Sequence, residues 1–79
     1  MINGPQLRAA RAWLNLSQDQ VAEITGVAKR TIARIESEAT VPHDRTLRDI
    51  QSVLEALGVE FLVEGGVGTG IRVVKKPDR

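Results

Sequence analysis

Seventy-nine residues hold one domain with a small core. The chain has no cysteine, which excludes a disulfide framework and any cysteine-ligated zinc, and no apolar run approaches the roughly 20 residues needed to cross a bilayer. The formal net charge of +1 gives no general cationic field, so an anionic partner must be met by charges concentrated on one face.

Taken in order, Met1 to Gly4 is expected to be loose. Pro5 suits the first turn of a helix, because its missing N–H has no intrahelical acceptor there. The spacing predicts a helix running to about Leu14. Leu7, Ala10, Arg11 and Leu14 share one face at i, i+3, i+4 and i+7. An arginine on an inward stripe is out of place unless it is paired. Trp13 lies beside that stripe, and packing against the C-terminal tail or a partner subunit is its expected use. Asn15 tolerates the left-handed backbone that a tight helix-to-helix link requires.

Ser17 can cap a second helix, with Val21, Ala22 and Thr25 on its inner face. Gly26 marks its end. A third short helix starts near Ala28, with Ile32 and Ile35 inside and Lys29, Arg30, Ala33 and Arg34 outside. From Ala28 to Ile35 there are three cations and no anion. Two short helices about a three-residue, Gly-containing turn are the helix-turn-helix pattern, whose second helix enters the DNA major groove.

Ser37 to His43 reads as a loop, since Pro42 bars helix continuation. Asp44 to Leu57 reads as a fourth helix with Leu47, Ile50, Leu54 and Leu57 as its apolar stripe, widened by Val53, and Gly58 as its stop. The period then falls to two. Val59, Phe61 and Val63 alternate with Glu60, Leu62 and Glu64, and Ile71 and Val73 with Arg72 and Val74. The Gly-rich run Gly65 to Gly70 lies between them. The pattern predicts a β-hairpin that lies on the helices or pairs its edge with a second copy. This glycine run lacks the Lys-Ser/Thr ending and following helix of a phosphate-binding loop. Lys75, Lys76 and Arg79 make a basic end.

The words LSQDQVAEITGV, AKRTIARIE and TLRDIQSVLEALGV, with a proline loop before the last, resemble the Cro/Xre family of phage-repressor-like DNA-binding domains. The likeness runs from about residue 6 to residue 59. It implies a mainly α, four-helix, lambda-repressor-like domain over residues 1–58, here followed by a hairpin tail over 59–79 that is a candidate dimerisation element. It also implies that Arg11 bonds Glu36 at the end of the recognition helix, and that Gln18 meets a phosphate while buttressing that helix. Glu38 departs from the family pattern, where Gly or Lys often stands nearby.

The expected function is therefore a cytoplasmic, sequence-specific transcriptional regulator, a repressor, binding double-stranded DNA as a homodimer. Lys29, Arg30, Ala33 and Arg34 are the expected base contacts: Arg and Lys match the paired acceptors of guanine, and Ala can meet a thymine methyl. Gln18, Thr31 and Arg45 are the expected phosphate contacts, with Arg48 nearby. The alternative is an antitoxin-like protein that holds a toxin-like partner with its tail and controls its own operon. No catalytic residue, cofactor or metal is expected: no nucleophile–base pair is evident, and His43 is the single histidine.

Overall fold

A computed structural model describes residues 1–74; the basic end at Lys75, Lys76 and Arg79 lies outside the described residues. The order is α1 (Gly4–Trp13), α2 (Gln18–Thr25), α3 (Lys29–Glu36), α4 (Asp44–Ala56), β1 (Val59–Glu64) and β2 (Val67–Val73). Among the described residues no helix is long and apolar enough to cross a membrane.

The N-terminus is not loose. Asn3 caps α1 in a reciprocal box with Gln6: the Gln6 N–H donates to Asn3 Oδ1 at 2.9 Å, and the Asn3 N–H donates to Gln6 Oε1 at 3.1 Å. Ile2 is 3% exposed and belongs to the core. Asn-x-x-Gln before an apolar run is a helix-start signal, and it works here one residue earlier than Pro5 indicates. Asn15 closes α1 at φ 58, its N–H bonding back to the Ala12 carbonyl. A second reciprocal box, Ser17 with Gln20, opens α2, and Gly26 at φ 73 ends it. Thus the link to α3 is three residues long.

One core gathers Leu7, Ala10, Val21, Ile32, Ile35, Leu47, Ile50 and Leu54 from all four helices, and Val59 and Phe61 from β1. Leu57 leaves the predicted stripe: it is the C-cap of α4, past the last helical residue, and 37% exposed. Trp13 is 56% exposed, so the described part of the tail does not cover it.

The two strands form an antiparallel hairpin. Its turn is shorter than the glycine run predicts. Only Gly65 and Gly66 turn, at φ 59 and 80, which is the two-residue geometry that matches strand twist; β2 starts at Val67. The pairing Leu62↔Gly70 followed by Val63↔Gly68 leaves Thr69 as an extra residue. In β1, Val59 and Phe61 are buried, whereas Val63, the third residue of that alternating set, is exposed beside the bulge.

Candidate nucleic-acid interface

Two turns of helix cannot hold their own direction in water, so α3 takes its pose from its neighbours. Its buried residues are Ile32, Ile35 and Glu36. At 3.6 residues per turn, Arg30 and Arg34 then fall opposite the buried edge. Both are exposed and join no ion pair among the described residues. Thr31 lies on the flank toward the loop, and Lys29 and Ala33 on the flank toward α2.

Glu36 is 5% exposed, and the charge at this buried place is met from three directions. Arg11 Nε donates to Glu36 Oε2 at 2.7 Å, and Arg11 Nη2 donates to Oε1 at 2.9 Å. Gln18 Nε2 donates to Oε1 at 3.2 Å. Arg11 Nη1 also donates to the Leu16 carbonyl at 3.1 Å. Arg8 Nη1 donates to the Glu36 backbone carbonyl at 3.1 Å. Three segments meet at this carboxylate: α1, the start of α2 and the end of α3. Burial alone would raise the Glu36 carboxyl. The hydrogen bonds from Arg11 and Gln18 and the charges of Arg11 and Arg8 outweigh it, and the carboxyl sits below its ordinary value. The same bond to Glu36 raises Arg11 against the opposing effect of burial.

Lys29 leans across to α2, its Nζ 3.3 Å from Asp19. Both side chains are exposed, and such a pair is readily exchanged for another anion. At the other end of α3, Ser37 caps the helix and Glu38 takes the left-handed form at φ 59. Its N–H donates to the Ile35 carbonyl and that of Ala39 to the Arg34 carbonyl, each at 3.0 Å. A cleft of about 270 Å³ lies between α3 and α4, lined by Thr31, Arg34, Thr40, Pro42, His43 and Thr46. Arg45 and Arg48 are exposed on α4. Among the described residues no group of His, Cys, Asp or Glu could hold a metal ion.

A family model described as helix-turn-helix matches residues 7–62, from α1 into β1. The chain belongs to the Cro/C1-type helix-turn-helix family. It is thus a DNA-binding regulator in general terms. No curated protein matches the chain.

Within this Cro/C1-type domain the structure gathers Arg11, Gln18 and Glu36 into one network behind α3, and leaves Arg30 and Arg34 on the opposite side of that helix. Lys29 is engaged with Asp19, and Arg45 is exposed on α4. Sequence reasoning missed Arg8, whose bond goes to a backbone atom that leaves no trace in residue pattern. It also missed Asn3 and Gln6, for which the capping-box spacing was an available signal.

Proposed function

We propose that this Cro/C1-type protein is a sequence-specific transcriptional repressor that lays α3 in the major groove. The observation that carries this reading is the pair of exposed arginines, Arg30 and Arg34, which join no ion pair among the described residues and lie opposite the buried edge of a helix braced from behind. Arg30 and Arg34 read guanine edges through their paired donors. Lys29 exchanges Asp19 for a base or phosphate acceptor, and Ala33 meets a thymine methyl. Gln18, Thr31 and Arg45 hold the phosphate backbone on either side.

A single copy spans only a short half-site, so the binding unit is a homodimer on a pseudo-palindrome with half-sites about 10 base pairs apart. The tail over 59–79 supplies the contact between copies, and exposed Leu62, Val63 and Val67 on the hairpin support that role. A toxin-like partner is the competing occupant of that surface. Sedimentation of the purified chain separates the two, since a chain that stays monomeric at micromolar concentration with and without operator sinks the dimer.

The direct test is selection of bound sites from random duplex DNA. The expected winner has paired, guanine-containing half-sites. Arg30→Ala and Arg34→Ala should each cost about 1–3 kcal/mol of binding on that site and relax one base position. An Arg45→Ala change should weaken all sequences alike and lower the salt slope by about one. No enrichment of any sequence would overturn the reading.

A further inference from the structure

The hairpin is tied to α1 by more than apolar packing. Gln6 is 3% exposed, and its Nε2 donates to two hairpin carbonyls, Leu62 at 2.7 Å and Gly70 at 2.8 Å. Asn3 Nδ2 donates to a third, Gly68, at 3.1 Å. These carbonyls lie at the bulge around Thr69, where the strand ladder is interrupted. The fit is close: a Cβ on Gly68 would run into Gln6 Oε1.

The same first turns of α1 press on the last turn of α3. A Cβ on Gly4 would meet the Ile35 carbonyl and come within 2.9 Å of the Glu36 carbonyl. Arg8, two residues after Gln6, bonds that Glu36 carbonyl. One side of this short stretch therefore grips the hairpin, and the other grips the end of α3 that carries Arg34.

We propose that Gln6 is a positioning residue for DNA reading: through it the hairpin braces the start of α1, and α1 sets the pose of the recognition helix. It touches no DNA. This rests on the assignment of α3 as the reading helix. Base recognition requires Arg30 and Arg34 at defined places, whereas binding to random duplex is almost wholly electrostatic and tolerates a shifted helix. Loosening the brace thus lowers discrimination and spares general affinity.

The test measures full-chain affinity for the selected operator and for random duplex of equal length, at a temperature where circular dichroism shows each variant folded. Gln6→Met keeps the side chain's length and removes both bonds to the hairpin, together with the capping acceptor of the Asn3 N–H. Asn3→Ser keeps a capping oxygen and removes only the bond to Gly68, so it remains informative if Gln6→Met unfolds. Gln6→Met should lose operator affinity about tenfold, the size of one base contact, with random-duplex affinity changed less than about twofold. Asn3→Ser should move the same ratio by a smaller factor. Amide NMR signals of Ile35 and Glu36 should shift in both variants without DNA. Parallel loss on both duplexes, or an unchanged ratio, would overturn the inference while leaving the reading of α3 intact. A wild-type chain that selects no operator would overturn both.

Discussion

Glu36 is the residue on which the site turns. Its carboxyl is held below its ordinary value by Arg11 and Gln18 against the effect of burial. A folded value below the unfolded one means that the pair adds stability above about pH 4.3, and that this part is lost as pH falls through the folded value. Denaturant unfolding from pH 7 to pH 3 should show it. The stability gap between wild type and Glu36→Gln should be constant near neutrality and should narrow below about pH 4. Arg11→Ala is expected to cost about 3 kcal/mol, because it strips the main partner from a buried charge. Lys29→Ala should cost under about 1 kcal/mol of stability, its pair being exposed. That Arg11 needed a partner was legible from its place on an apolar stripe. Which residue answered it was not, because Glu36 stands in another helix and only the family resemblance named it.

At the scale of elements, caps and turns decide where each piece begins and ends. Asn3 and Ser17 start helices, and Gly26, Gly65 and Gly66 take the positive φ that ends or reverses the chain. Glu38 takes that conformation without glycine's freedom, just past the end of α3. Glu38→Gly should raise stability by about 1 kcal/mol by relieving the left-handed backbone. With α3 docked as proposed, it should also tighten binding to any duplex, because a negative charge just past the end of that helix is removed. Thermal unfolding and titration with random DNA check the two effects separately. The helices were legible from period and caps. The hairpin was legible as a type of element but not in its register, because the bulge at Thr69 answers to α1 rather than to the strands themselves.

For the whole molecule, the hairpin of the tail is a structural part of the fold. Phe61 is buried with the helical residues, and Gln6 relies on hairpin carbonyls for its bonds. A 79-residue chain holds about 4–12 kcal/mol of total stability. Phe61→Ala should cost about 3 kcal/mol or more. Removal of residues 60–79 should therefore leave a largely unfolded chain, seen as loss of the cooperative transition in denaturant. A tail that did nothing but meet a partner would leave that transition unchanged.

The sequence by itself determined the four helices, the cationic outer face of the third and a two-stranded end. Local propensity and periodic burial carry those within a few residues of chain. Tertiary structure alone decided the meeting of Arg11, Gln18 and Glu36, the clasp of Asn3 and Gln6 on the hairpin, and the exposure of Trp13 and Val63. The network and the clasp depend on hydrogen bonds between groups far apart in sequence, half of them to backbone carbonyls, and a carbonyl is the same in every residue until the fold points it somewhere; the two exposures depend on which elements pack alongside.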